Sequence, residues 1–296
     1  MLAILGPMSV EPNTAVSAPL AALHERVDGT LYAFLGEVRA EIAAVASDAL
    51  LPIDEIERLV AAGGRRLRPA FCYWGYRAAG GRDGDPIVRV ASALELLHAM
   101  ALIHDDLMDE SPLRRGVPTS AVRFASDAER RGSEDPDKMG RSLAILAGDL
   151  AAVLADRLFL SSGFAPDVLV PALDRYHRMR TNMAMGQTLD VLGAEGTDRF
   201  LVASLKGGAY TVAGPLAIGA ELAGAGPDVQ EALAAFGDPL GTAFQFRDDE
   251  RDGDAPVPPG RVADLASQAR LALERITLDR EAREALLSLA GLVEAG

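Results

Sequence analysis

Asp105, Asp106 and Asp109 stand at the end of an apolar run in LELLHAMALIHDDLMDESPLRRG (94–116). The arrangement returns as Asp248, Asp249 and Asp252 in LGTAFQFRDDERDGD (240–254). Carboxylates this close repel one another, and burying them unpaired costs several kcal/mol each, so a cation among them is the natural remedy. On a helix, positions i, i+4 and i+7 share a face. His98, Ala101, Asp105 and Asp109 therefore form one stripe with Asp106 beside it, and Gln245 lies one turn before the second cluster. Oxygen-rich clusters suit hard divalent ions, and Mg²⁺ typically takes one or two carboxylates, then water and substrate phosphate. One such triplet in an acidic chain reads as a solvated helix end. Two, each closing an apolar helix, read as the two halves of a shared metal site.

The arginines fit the same chemistry. Arg65, Arg66 and Arg68 cluster in GGRRLRP, and Arg114 and Arg115 follow the first acidic motif directly. Guanidinium forks hold phosphate oxygens in pairs, so arginines beside metal carboxylates point to a phosphorylated polyanion. Lysine is confined to Lys138 and Lys206, which singles out Lys206 in KGGAYT. A histidine on an apolar helix is by default a core residue; the place of His98 on the Asp105 stripe favours a ligand. His104 is turned off that stripe and reads as structural, and Met100, Met108, Met183 and Met185 read as filler.

Helices must carry these groups. Amphipathic or apolar periodicity predicts helices over about 19–46, 69–79, 86–109, 139–161, 166–192, 199–222, 229–251, 262–276 and 279–293. Residues 111–120 read as a loop, and DAERRGSEDPDK (127–138) as an exposed excursion. Aromatics are 5% of the chain and apolar residues 49%, so strand-favouring runs are scarce and the fold class is all-α, a single-domain helical bundle. Residues 1–16 read as a flexible tail and 17–296 as the helical domain.

The net charge of −14 excludes nucleic acid and anionic membrane surfaces as partners. A single cysteine, Cys72, leaves no internal disulfide and fits a cytoplasmic location. No basic n-region precedes the first apolar residues. The run 90–103 carries Glu95 and His98 and is too short to span a bilayer, so no stable membrane insertion is expected. Glu95 and His98 form an ExxH of the kind used by di-iron bundles, but no second ExxH exists, because Ala21, Ala101 and Asp174 stand three before the other histidines.

In order, GGRRLRP, ELLHAMALIHDDLMDESPLRRG, MAMGQTLD, KGGAYT and GTAFQFRDDERD resemble the trans-isoprenyl diphosphate synthases, the family of farnesyl and geranylgeranyl diphosphate synthases, over about residues 31–252. The resemblance implies a bundle around a deep central cavity, a homodimer, and condensation of isopentenyl diphosphate with an allylic prenyl diphosphate. It implies that Asp105, Asp106, Asp109, Asp248, Asp249 and Asp252 hold Mg²⁺. Arg114 and Lys206 would bind the allylic diphosphate, and Arg65, Arg68, His98 and Arg115 the isopentenyl diphosphate. Gln187 and Gln245 would line the reaction centre. Met100 and Ala101, one turn before Asp105, would set chain length; neither is an aromatic plug, which points to geranylgeranyl diphosphate, with farnesyl diphosphate the nearest alternative.

Three departures stand out. Arg65 replaces the usual lysine, Gly207 replaces the usual threonine after Lys206, and the region after Asp252 is shortened, with no lysine in it. The shortened end keeps two alternatives open, a terpene cyclase-like enzyme and a non-catalytic partner subunit of the same fold.

Overall fold

The computed structural model describes residues 18–193, 198–252 and 257–295; the expected tail 1–16 and the side chains of Asp249 and Asp252 lie outside the described residues. The chain is all-α. Helices α1 (Ala18–Val45), α2 (Leu51–Ala61), α3 (Leu67–Ala78) and α4 (Asp85–Met108) precede a two-stranded ribbon, β1 (Leu113–Arg114) with β2 (Val117–Pro118). Then come α5 (Ser120–Arg130), α6 (Pro136–Leu160), α7 (Pro166–Leu192) and the short α8 (Arg199–Ala203). A π-helical segment, Ser204–Ala213, leads into α9 (Gly214–Leu222), α10 (Pro227–Asp252), α11 (Arg261–Ala272) and α12 (Arg280–Ala295).

Local chemistry explains the boundaries. Prolines occupy the first turn of α4, α6 and α7, where a missing N–H costs nothing. Asp135 caps α6 by accepting from the Lys138 amide at 3.0 Å. Gly193, at φ +53°, ends α7 in the left-handed conformation. One apolar core runs from α1 to α12 and includes Val27, Phe71, Leu97, Phe159, Phe236 and Leu286, all fully or almost fully buried. α4 is the central helix, packed by α1, α3 and α6.

Several expectations need correcting. The segment 127–138 is mostly exposed, as expected, but its two ends are helical: α5 runs to Arg130 and α6 starts at Pro136. α2 and α5 were not legible as periodic helices, and the loop after the first acidic motif contains a hairpin. The helix expected over 199–222 changes pitch at Ser204. α4 is longer than its purely apolar stretch, and its hydropathy and length would suffice to cross a bilayer; 72% of that window is buried against the rest of the fold, the environment of a core helix. The segment Leu201–Leu222 passes the same length and composition test, with 50% of its window buried.

α11 and α12 close the end of the bundle that the sequence reading treats as shortened. α12 packs on α3 and α10. Arg65 donates to the Leu292 carbonyl at 3.2 Å, and Arg247 to that of Glu294 at 3.0 Å.

Candidate active site

A cavity of about 1100 Å³ opens between α4, α7, the π segment and α10. Asp105 sits in the last turn of α4, and Asp109 caps that helix. The chain then turns back through the ribbon. Leu113 pairs with Pro118 and Arg114 with Val117, leaving Arg115 and Gly116 as the turn. Both have positive φ, +51° and +78°, as a two-residue type I′ hairpin requires. Glycine takes that conformation freely, whereas an arginine costs about 1 kcal/mol or more to hold there. The turn aims Arg114 back at α4: its Nε donates to Asp106 Oδ1 at 2.8 Å and its Nη2 to Asp105 Oδ2 at 3.2 Å.

The carboxylates are not equivalent. Asp105, Asp109 and Asp248 line the cavity. Asp106 is 7% exposed, faces Arg114 and does not line the cavity. Burial lifts the Asp106 carboxyl above the usual carboxylate range, with Arg114 opposing and the Asp105 and Asp109 charges adding to the rise. Burial and then Asp105 push Asp109 the same way. Among the described residues no three acidic, histidine or cysteine side chains close into a ready-made metal cage. Asp105 and Asp106 are at present partnered by cations of the chain itself.

Lys206 is the second of these cations. Its Nζ lies 2.6 Å from Asp190 Oδ2 and 3.3 Å from Asp105 Oδ1, tying α7, the π segment and α4 together at one level. Burial lowers the ammonium, but Asp190 and Asp105 outweigh it and hold it above its ordinary value. The π segment is why a lysine reaches this point. Gly208 and Gly241 meet backbone to backbone, where a Cβ on either would lie under 3 Å from the other chain, so the widened helix can lie flat against α10. π turns of this kind recur at functional sites. Gly207 yields the space that Gln245 fills: a Cβ there would fall 1.6 Å from Gln245 Oε1. The missing threonine is thus replaced by the carboxamide of Gln245. On the far side Arg251 donates to Asp248 at 2.7 Å.

The three arginines of GGRRLRP separate by role. Arg66 is 5% exposed, with φ +48°, and its guanidinium is spent on partners inside the chain. It donates to Glu95 at 2.7 Å, Asp28 at 2.8 Å and the Val60 carbonyl at 2.7 Å, which pins the loop. Arg65 and Arg68 face the cavity. Arg68 stacks over Tyr210 at 4.4 Å and donates to Thr211 at 2.8 Å. Burial depresses the Arg65 guanidinium; Asp248 opposes this, and Arg251, Arg115 and Arg68 add to it.

Deeper in, His98 is held well below its ordinary pKa by burial and then by Arg68, Arg114, Arg115 and Arg66, so it is a neutral imidazole. Arg68 Nε, His98 Nδ1 and Gln187 Nε2 are buried with no hydrogen-bond partner. Buried polar groups are normally satisfied, so orphaned nitrogens along one wall mark the place of an acceptor. His104, in contrast, sits 3.3 Å from the Ile145 carbonyl, against Gly148.

Sequence reasoning missed Tyr210 and Arg180, which line the cavity, and Asp190, which holds Lys206. Each is a helical step from a residue that it named: Asp190 is three after Gln187, Tyr210 four after Lys206, and Arg180 seven before Gln187. Met100 and Ala101 line the cavity as expected.

The fold and site together define an all-α protein with a cavity of about 1100 Å³, acidic at two helix ends and cationic between them. A family model described as polyprenyl synthetase matches residues 53–256, and the chain belongs to that family. It is 31% identical over 219 residues to the short chain isoprenyl diphosphate synthase of Methanothermobacter thermautotrophicus, covering 73% of this chain and 62% of that protein. To the geranylgeranyl diphosphate synthase of Methanosarcina mazei it is 33% identical over 222 residues, covering 71% and 64%. The chain thus spans less than two thirds of the length of these relatives. The geranylgeranyl pyrophosphate synthase of Corynebacterium glutamicum, solved with isoprenyl diphosphate and magnesium, superimposes with a TM-score of 0.85 at 26% identity, covering 93% of this chain and 99% of that one.

Proposed function

We propose that this chain is a Mg²⁺-dependent trans-prenyltransferase that joins isopentenyl diphosphate to an allylic diphosphate, with geranylgeranyl diphosphate as its main product. The observation that carries this reading is the cavity wall itself: arginines and orphaned donors face carboxylates from two helix ends. Asp105, Asp109 and Asp248 would hold Mg²⁺, with Asp249 and Asp252 as further candidates by sequence, while Asp106 fixes Arg114. The donor set fits, because crowded carboxylate oxygens facing a cavity suit a hard divalent cation. When bound, Mg²⁺ supplies charge neutralisation of the leaving diphosphate.

The chain's own residues do the rest. Lys206 and Arg114, level with Asp105, grip the allylic diphosphate, and Gln187 and Gln245 flank its first carbon. Arg65, Arg68, His98 and Arg115 hold isopentenyl diphosphate alongside, turning a two-body encounter into a positioned one. The allylic C–O bond breaks, the double bond of isopentenyl diphosphate forms the new C–C bond, and a proton leaves to the departing diphosphate. Apolar walls at Met100, Ala101 and Met183 keep water from the cation.

A cytoplasmic homodimer is part of the proposal. Met139, Leu146, Val153 and Leu160, seven residues apart on α6, expose an apolar stripe that suits a second copy.

Incubation with isopentenyl diphosphate, Mg²⁺ and each allylic diphosphate in turn, followed by product chromatography, tests the reading. Asp105→Ala and Asp248→Ala should each cut turnover by about 10²–10³, the scale of losing a main electrostatic contact in a dry site. Undiminished turnover in both variants sinks it.

A further inference from the structure

We propose that the ion pair Arg180–Asp156 is the floor of the cavity and sets the upper limit of product length; this rests on the prenyl-transfer reading. Arg180 Nη1 donates to Asp156 Oδ1 at 2.7 Å, linking α7 to α6. Its guanidinium lies 5.2 Å over the Tyr176 ring and lines the cavity. The level of the diphosphate is fixed by Lys206, which bridges Asp105 and Asp190. Arg180 lies ten residues before Asp190 on the same helix, about 15 Å lower, or nearly three turns, and one turn is roughly the reach of one prenyl unit. Between the two levels the walls are Gln187, Ala184 and Met183 on one side and Ala101 and Met100 on the other.

A hydrocarbon tail descending this cavity meets small and flexible apolar side chains for about three units and then a paired charge. Pressing a methyl against the pair strips water from it with no hydrogen bond in return. The pair is stiffened from both sides, by the carboxylate in plane and by the aromatic face below. The third unit therefore ends at Arg180 and a fourth has no apolar surface to enter, so a three-unit tail can be extended once more and the longest product has four units. Ala101 lets the chain pass and Arg180 stops it.

The test pairs binding with product analysis. Wild-type protein with Mg²⁺ is titrated calorimetrically with prenyl diphosphates of two to five units, and its products are resolved by chain length. The wild type should bind the four-unit compound at least tenfold more weakly than the three-unit one. Arg180→Leu should erase that drop and raise the ratio of five-unit to four-unit product at least tenfold. Arg180→Lys, which keeps a charge against Asp156, should keep the wild-type limit. The side chains of the pair are 27% and 37% exposed, so the leucine variant leaves no sealed-in charge. Should it still fail to fold, Asp156→Asn, which breaks the ionic pairing at constant size, should shift the limit in the same direction. An active Arg180→Leu or Asp156→Asn enzyme with an unchanged product ratio and an unchanged order of affinities overturns the floor while leaving prenyl transfer intact. A wild type that neither binds nor extends any of these compounds overturns both.

Discussion

Replacing Arg66 by methionine should destabilise the fold more than any other single change in GGRRLRP, because the Arg66 guanidinium is tied to partners inside the chain. The Arg66 and Glu95 side chains are 4% and 10% exposed and 2.7 Å apart. Asp28 and the Val60 carbonyl complete the guanidinium's partners. Removing one member of a buried pair leaves the other charge without compensation, which costs about 3–5 kcal/mol. Methionine keeps most of the volume, so little of this loss is cavity formation. Urea denaturation should show the midpoint falling at constant slope. Adding Glu95→Gln removes the buried stranded charge and should restore at least ~1 kcal/mol, leaving the Val60 carbonyl unpaired and the carboxylate of Asp28, which is partly exposed to water. At φ +48°, Arg66→Gly should be more stable than Arg66→Ala, because alanine pays about 1 kcal/mol or more to sit in the left-handed region. A loss below ~1 kcal/mol for Arg66→Met, or a double variant weaker than the single one, would refute the anchor. Where the fold survives, the displaced loop should raise KM for isopentenyl diphosphate, because Arg65 and Arg68 hang from it.

Ala101→Phe should shorten the products by filling the wall one turn below Asp105; an unchanged distribution would show that α4 does not border the tail. Gly207→Thr puts a Cβ 1.6 Å from Gln245 Oε1, so Gln245 must turn away and turnover should fall about tenfold, the equivalent of ~1.4 kcal/mol in the barrier. In a Gln245→Ala background the same change should cost little, and equal losses in both backgrounds would show that the two positions do not couple. Arg115→Ala or His98→Ala should raise KM for isopentenyl diphosphate more than for the allylic substrate, and Arg114→Ala the reverse; equal shifts would undo the division of labour between the two faces.

Most of the site was legible because its motifs lie on regular helices. The spacing of His98, Ala101, Asp105 and Asp109 is a helical spacing, and a strongly apolar α4 leaves no competing structure for it. What stayed hidden depended on contacts distant in sequence. Arg65, Arg66 and Arg68 look alike in GGRRLRP; only the left-handed turn at Arg66, and the acids it finds on α1 and α4, separate an anchor from two cavity residues. The pitch change at Ser204 has no periodic signature, since it arises from Gly208 meeting Gly241 across α10. α5 was hidden because its charged residues, Asp127, Glu129 and Arg130, read as a solvated excursion. In the structure they form the outer face of a helix whose Phe124 and Ala128 are buried. Arg180 carries no motif, and the side chain that gives it meaning, Asp156, is on another helix.

The carboxylates that opened the sequence reading are balanced within the chain by Arg114 and Lys206. This explains how a protein of net charge −14 tolerates Asp105, Asp106 and Asp109 within two turns of one helix: two cations lie at hydrogen-bond or ion-pair distance, each shared between two acids. The same arrangement prepares the site for an anion. Arg114 and Lys206 are both held at the cavity by Asp105, an acid that a divalent cation would claim. Once Asp105 has another partner, each cation keeps one acid, Asp106 or Asp190, and has donors left to turn to a diphosphate without crossing the cavity. Metal and diphosphate should then bind with positive coupling, each releasing partners the other needs, and by linkage the coupling must be equal in both directions. The orphaned nitrogens of Arg68, His98 and Gln187 have no internal carboxylate to rest on. That contrast divides the wall into a face that exchanges internal partners for ligand and a face that stays unsatisfied until ligand arrives.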